Sequence, residues 1–330
     1  MKFFQLLTFT CILTVLSCAT TKNFAQKIKA KAPTEELRAT QKQYHLDPNS
    51  SWLSRVAKTP DDIIKMFIDA GISPTEHKLS TKEINIISQA FATLPPLHQQ
   101  VLRQHLKSVS FLDNMPNTAL TSPVTNNNGA NLYHITFRAG ILRQTISDWV
   151  TEKERTCYSG GDSTISVSIQ AGLLSALTYV LLHESTHVLD GALQLMSTDT
   201  IAGKPRLSKF TAGFSKGIWK NSNKHYWLFK DSTVVKNRFR PGGRLFVPNE
   251  ATKVYEGLSQ TPFVSLYSTA SWHEDLAELL TVYHLTKRYK QPFRIVVRQY
   301  GKEIFQYEPM KSALVLKRIS LLNCFYTKNV

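Results

Sequence analysis

The run of residues 171–189 constrains the fold of this chain most strongly, because it is long, mostly apolar and free of proline. Such a run predicts a buried α-helix, and we place its end near Gly191, since glycine often follows the last helical turn. Residues 164–169 alternate apolar and polar side chains, which predicts a half-buried strand. The centre of the chain is therefore expected to be a strand that leads into a buried helix.

Weaker patterns predict the elements around this pair. The second strong helix covers residues 272–289, with Ser271 as its N-cap, and residues 34–107 are expected to be mainly helical. The remaining expectations are strands at 109–112 and 132–137, a surface loop at 114–131, an irregular stretch at 197–262, a hairpin at 295–307 and a helix at 310–325. Together they predict an α+β fold with a small mixed sheet, a central helix and a mainly helical second lobe. We divide it into a helical region, 34–107, and a main domain, 108–330.

The composition supports a globular protein. Of 330 residues, 42% are hydrophobic and 19% are charged, with 14 Gly, 14 Pro and 4 Cys. Apolar content at this level excludes a disordered chain, and the low glycine, proline and cysteine counts exclude collagen-like and disulfide-rich classes.

The N-terminus is typical of an exported protein. A short positive region precedes an uncharged apolar stretch that is too short to span a membrane, which indicates a signal peptide over residues 1–18. Cys18 then lies where a bacterial lipoprotein is lipidated, and ordinary cleavage after Ala19 is the alternative. Residues 19–33 would form a polar, basic tether. We expect a cell-envelope protein, anchored to a membrane through lipid at Cys18.

Export leaves two cysteines in the main domain, Cys157 and Cys324. In an oxidising compartment they form either one disulfide or two isolated buried thiols, and the sequence leaves both open. Because they are far apart in sequence, they do not resemble a thiolate metal site.

The predicted central helix carries the motif His183-Glu184-Ser185-Thr186-His187. Histidines four residues apart share one helical face, so both imidazoles can reach one zinc ion, and Glu184 lies beside them as a base for an activated water. Chance alone gives an expectation of about 0.01 for this pattern in a chain of this composition. Asp190, one turn later, either hydrogen-bonds a ligand or groups nearby or is an ordinary polar residue of the last turn.

A catalytic zinc usually has three protein ligands, so a third residue is needed. Leu193 stands where a metzincin has its third histidine, which excludes that class. Glu274 is our third ligand, and Glu278, on the same helical face, would hold a ligand imidazole from behind. The alternative is that Ser271 and Glu274 form only a capping box, with Glu278 or His273 as the ligand instead.

The two motifs together resemble the gluzincin zinc peptidases, especially the branch that contains the anthrax lethal factor catalytic domain. In that branch an H-E-x-x-H helix precedes an E-x-x-A-E helix, as His183 to His187 precede Glu274 to Glu278 here. The resemblance implies a zincin-like fold, one catalytic zinc, Glu274 as third ligand, and a tyrosine seven residues earlier, Tyr267, facing the reacting oxygen.

We therefore expect a zinc-dependent endopeptidase of the cell envelope that acts on proteins or peptides. The alternatives are a non-catalytic zinc-containing lipoprotein that binds the envelope and a zinc amidase of the cell wall. The net charge is +16, and residues 197–253 contain twelve Lys or Arg against three acidic residues. This basic insert, within 197–262, favours acidic partners, whereas nucleic acid is not expected. We also expect an extended substrate to pair with the strand at 164–169.

Overall fold

The computed structural model describes residues 28, 32–124, 132–201, 204–226 and 233–327, and it has a mixed α+β architecture. The helices are α1 Glu35–Gln43, α2 Asp61–Asp69, α3 Thr81–Ala92, α4 Pro96–His105, α5 Ile146–Arg155, α6 Ala176–Leu193, α7 Lys209–Ser215, α8 Ala251–Ser259, α9 Trp272–Tyr283 and α10 Ala313–Leu316. The strands are β1 Thr75–Glu76, β2 Leu106–Asp113, β3 Ala119–Val124, β4 Leu132–Arg138, β5 Ile165–Gln170, β6 Thr198–Ile201, β7 Lys204–Leu207, β8 Trp219–Asn221, β9 Lys224–His225, β10 Arg294–Gln299 and β11 Lys302–Tyr307.

A four-stranded mixed sheet lies beside the central helix. Its order is β1-β2-β4-β3, with β2 and β4 parallel and the outer strands antiparallel to their neighbours. The inner strands β2 and β4 are buried along almost their whole length, as expected of parallel strands that are covered on both faces. A second, antiparallel sheet has the order β11-β10-β5, so the predicted hairpin and the strand before the helix are confirmed.

The central helix α6 lies in the buried core of the molecule and packs against α3, α4, α5 and α9. It begins at Ala176, later than predicted, because Ser175 caps it by accepting a hydrogen bond from the Leu177 N–H. Gly191 does not end it. A Cβ at Gly191 would lie 2.2 Å from the Tyr133 hydroxyl, so glycine is needed there for close packing within the helix. The left-handed residue that ends α6 is Gln194.

Two segments predicted to be irregular contain regular elements. The surface loop predicted at 114–131 is wrong for residues 119–124, which form β3, while 125–131 lie outside the described residues. Pro123 favours a loop in the sequence. It is tolerated in β3 because this is an edge strand, so no hydrogen bond between central strands is lost. The predicted irregular stretch at 197–262 contains β6, β7, α7, β8, β9 and α8.

The C-terminal part of the chain follows the prediction only in outline. Helix α9 begins at Trp272 with Ser271 as its N-cap, as predicted, and passes into a π-helical turn at His284–Arg288. The single helix predicted at 310–325 is wrong: α10 and a 3-10 helix at Ile319–Phe325 replace it. The break falls at Arg318, whose side chain turns inward to bind a buried carboxylate.

The open edge of β5 is already occupied. Thr151 of α5 exchanges hydrogen bonds with the backbone N–H and C=O of Ile169, and Arg155 donates to the Val167 carbonyl at 3.2 Å. The expectation that a substrate pairs with this strand is therefore wrong, because α5 satisfies the backbone groups that such a strand would need.

The predicted signal peptide, with Cys18, lies outside the described residues, as does most of the tether. Of the tether, Ile28 is partly buried against the core. Across the ranges that the structure describes, no helix combines the length and apolar character needed to cross a membrane.

Candidate metal centre

Helix α6 presents its two motif histidines on one face, as the spacing predicts. The Nε2 atoms of His183 and His187 lie 3.2 Å apart. His183 is only 6% exposed, because Tyr267 and the carboxylates of α9 pack against its ring, whereas His187 is half-buried. The pair thus forms one wall of a small polar site that lies between mainly apolar helices.

Helix α9 brings Glu274 to the same point. Its Oε2 atom lies 3.0 Å from His183 Nε2 and 3.4 Å from His187 Nε2. We call His183, His187 and Glu274 the metal cluster; each offers one ligand atom, and these atoms all lie within 4.8 Å of one another. One half of the alternative capping box is present, because Ser271 Oγ accepts a hydrogen bond from the Glu274 N–H at 3.2 Å. The Glu274 carboxylate, however, contacts the histidines and does not cap the helix.

The donor set of the metal cluster fits a zinc ion. Zinc bonds to histidine nitrogen and carboxylate oxygen are about 2.0–2.2 Å long, so tetrahedral ligands lie about 3.3–3.6 Å from one another. The three observed separations, 3.0, 3.2 and 3.4 Å, are close to this spacing. When both imidazoles present an unprotonated Nε2, one cation at the centre would satisfy all three ligand atoms.

The electrostatics of the metal cluster also attract a cation. Burial disfavours a charge on His183, but hydrogen bonds and negative charges from Glu274 and Glu278 outweigh burial and raise the pKa of His183 to about 10. Burial opposes ionisation of Glu274 as well, yet the two histidines hold the pKa of this carboxyl well below its usual value. In the absence of metal the cluster therefore retains a proton.

Glu278 lies behind His183, where the sequence placed it. Its Oε1 atom is 3.1 Å from His183 Nδ1. Its Oε2 atom accepts hydrogen bonds from the Tyr179 and Ser265 hydroxyls, at 3.0 and 2.6 Å. Glu278 therefore fixes the rear of the His183 ring and leaves Nε2 directed at the metal cluster.

Glu184 has a partner that the sequence did not reveal. The Thr121 hydroxyl of β3 donates to Glu184 Oε2 at 2.6 Å, across 63 residues of sequence. Thr121 lies in the segment predicted to be a loop, and no local pattern links it to the motif. A short hydrogen bond of this kind restricts the carboxylate to one side of the cleft.

Tyr267 lies over the metal cluster. It begins a 3-10 turn, Tyr267–Thr269, and its ring stacks on His183 with centroids 5.7 Å apart. Burial, followed by the negative charges of Glu274 and Glu184, raises the pKa of Tyr267 well above its usual value. Its hydroxyl therefore remains protonated and able to donate a hydrogen bond.

The basic insert holds this turn in place. Asn237 donates to Thr269 Oγ1 at 2.8 Å, and Arg240 donates to the Thr269 carbonyl and, at 2.9 Å, to that of Asn223. Arg244 pairs with Glu250. Arg240 and Arg244 thus have structural partners. The lysine side chains that the structure describes in the insert are instead exposed: Lys209, Lys216, Lys220, Lys224, Lys236 and Lys253.

Asp190 and His273 bind each other, so Asp190 hydrogen-bonds a neighbouring group, as one of its predicted roles allows, and not a member of the metal cluster. Asp190 Oδ2 lies 2.6 Å from His273 Nδ1, and its Oδ1 accepts the Met196 N–H at 2.7 Å. Asp190 therefore holds His273 and not a ligand imidazole, and His273 is not the third member of the metal cluster. Both line a cavity of about 230 Å³ that opens beside His187.

Cys157 and Cys324 are free, buried thiols, so the structure has the second of the two alternatives, without the disulfide. Burial raises the pKa of both, that of Cys324 to about 12.

Comparison of the chain with protein-family models, curated proteins and solved structures finds no match. Its function must therefore be inferred from its own residues and their geometry.

Proposed function

We propose that this chain is a zinc-dependent endopeptidase with a zincin-like arrangement of its site, acting at the cell envelope. The observation that carries the proposal is the convergence of His183, His187 and Glu274 on one point, with Glu184 and Tyr267 beside them. His183, His187 and Glu274 would hold the zinc. Zinc in such a site supplies Lewis acidity, which polarises a carbonyl group and makes water more acidic.

The protein residues then divide the proton transfers and charge stabilisation. Glu184, held by Thr121, accepts a proton from the water that attacks the peptide carbonyl and returns it to the leaving amine. The protonated hydroxyl of Tyr267 donates a hydrogen bond to the oxyanion that develops on the carbonyl oxygen. Glu278 keeps His183 oriented throughout.

The edge strand β3 supports an extended substrate at this site. Within the described residues β3 pairs only with β4, so its other edge offers free backbone groups. Because Thr121 of this strand touches Glu184, a peptide paired with β3 would pass next to the proposed base. The exposed lysines of the basic insert favour acidic protein or peptide substrates.

The intact, positioned Glu184 favours an enzyme over a non-catalytic zinc lipoprotein, because a purely structural zinc site needs no base.

Export and lipid anchoring through Cys18 remain part of the proposal, and a Cys18→Ser variant expressed in the native host should be released in soluble form.

The direct test incubates the purified protein and its Glu184→Gln variant with envelope proteins and, separately, with murein. Mass spectrometry of the products should show new peptide termini in the protein sample for the wild-type enzyme alone. Products only from murein amides would replace the endopeptidase with a cell-wall amidase. Equal products from both enzymes, or none, would refute a Glu184-dependent hydrolase.

A further inference from the structure

Lys153, near the end of α5, reaches into the candidate site from a direction that no sequence motif indicated. Its side chain is only 20% exposed, which is unusual for lysine, and its Nζ atom lies 3.4 Å from Glu278 Oε1. A buried ammonium is costly unless it is paired, so this placement requires an explanation.

On one side, Lys153 completes the surroundings of Glu278. The carboxylate already accepts the Tyr179 and Ser265 hydroxyls through Oε2, and its Oε1 lies between Lys153 Nζ and His183 Nδ1. Because the ammonium and the imidazole share this oxygen, removing the ammonium would leave Oε1 with its His183 contact alone, while the two hydroxyls still hold Oε2, and the carboxylate would fix the rear of His183 less tightly.

On the other side, Lys153 contacts the proposed oxyanion donor. Its Nζ lies 3.8 Å from the centre of the Tyr267 ring, with Trp149 and Phe239 rings at 5.2 and 6.0 Å. A cation over a desolvated aromatic face is attracted to it. The same ammonium thus fixes both the carboxylate behind His183 and the ring that lies over the metal cluster.

The charge of the site gives this contact added weight. Three carboxylates lie close enough to Tyr267 to act on it electrostatically, those of Glu184, Glu274 and Glu278. Among the residues that the structure describes, Lys153 is the one lysine or arginine within 4.0 Å of any of their oxygens. A divalent cation in the metal cluster and one ammonium would together neutralise all three.

We propose that Lys153 is a positioning residue that couples the two halves of the site, acting on metal affinity through Glu278 and on oxyanion stabilisation through Tyr267. The inference rests on the proposed zinc function, but its first test measures zinc binding and needs no peptidase activity.

The test is a double-mutant cycle of Lys153→Met and Glu278→Gln, with the zinc dissociation constant measured by competition with a chromophoric chelator. Each single variant should bind zinc about 10- to 100-fold more weakly, as residues that support metal ligands usually do. The double variant should bind zinc no more weakly than Glu278→Gln alone, because Lys153 affects zinc binding only through Glu278. Lys65→Met, an exposed lysine paired with Asp69, serves as the matched control and should leave the constant unchanged.

A zinc constant for Lys153→Met within twofold of wild type, or effects that simply add in the double variant, would overturn the coupling to Glu278. If Lys153→Met alone fails to fold, Lys153→Gln takes its place in the cycle, because its amide removes the charge but can still hydrogen-bond in the buried position. With zinc saturating, Lys153→Met should also lower kcat about 10-fold or more with KM unchanged, and this loss should disappear in a Tyr267→Phe background. A kcat loss that persists there would overturn the coupling to Tyr267.

Discussion

Two neighbouring carboxylates on α9, Glu274 and Asp275, have opposite surroundings. Asp275 is fully buried and receives both terminal nitrogens of Arg318, at 3.0 and 2.6 Å, together with the Trp219 indole N–H at 2.8 Å. Glu274, one residue earlier, faces two histidine rings and contacts no lysine or arginine among the described residues.

The difference separates a charge that the chain pairs internally from one that we propose binds a metal ion. The chain itself supplies the cation for Asp275, and the resulting bidentate pair joins α9 to the C-terminal segment and to β8. For Glu274 the chain supplies two imidazoles, one of which carries a proton in the metal-free site, and we propose that a metal ion from solution replaces that proton. We therefore expect changes at Asp275 to alter stability and changes around Glu274 to alter metal binding and catalysis.

The largest expected effect is on turnover. Glu184→Gln removes the proposed base but no member of the metal cluster, so kcat should fall about 10²- to 10⁴-fold while zinc content stays at the wild-type level. Steady-state kinetics and metal analysis on the same preparation check this. Near-normal turnover would remove Glu184 from the mechanism.

The second effect is a loss of stability, expected when Asp275 loses its partner. Arg318→Met leaves Asp275 buried without its cation, which should lower the free energy of unfolding by about 3–5 kcal/mol. Urea unfolding of the metal-free protein measures it. Arg318→Met combined with Asp275→Leu should recover part of the loss, and folded Arg318→Met should bind zinc normally. If zinc binding fell instead, the two carboxylates would not be separable in function.

Tyr267→Phe should isolate the oxyanion interaction. The ring and its stacking on His183 remain, so zinc content should not change, while kcat falls about 10²- to 10³-fold through loss of one hydrogen-bond donor. An equal loss of zinc would show that Tyr267 supports the metal cluster and not the reacting oxygen.

The smallest effect is a pH dependence of zinc affinity. The pKa of His183 is raised to about 10 in the metal-free site, so the ring carries a proton at neutral pH and must release it to bind metal. Affinity should rise about tenfold per pH unit between pH 6 and 8. Calorimetry in buffers of different ionisation enthalpy should show proton release, and a pH-independent constant would contradict the protonated state.

The parts of the site that the sequence predicted are those that depend on local geometry. Histidines at positions i and i+4 must share a helical face, and Ser271 must cap a helix that begins at Trp272. Glu274 could be proposed because a second motif marks it, although its contact with the histidines depends on how α6 and α9 pack.

The missing parts depend on contacts between distant segments. Thr121 touches Glu184 from a strand whose threonine and proline content is typical of a loop, and Lys153 reaches Glu278 across 125 residues. The failure of the β5 prediction has the same origin, because alternation shows that a strand exists but not which helix covers its edge. The sequence predicts a helix end near Gly191, whereas the close approach of Tyr133, from β4, explains the glycine.

The most direct test of the metal cluster is the zinc content of the purified protein after dialysis against trace zinc. The account predicts close to one zinc per chain in the wild type, its loss in His183→Ala, His187→Ala and Glu274→Ala, and its retention in folded Asp275→Asn. A wild-type protein that is folded but takes up no zinc, or a Glu274→Ala variant that keeps a full equivalent, would contradict the proposed metal centre.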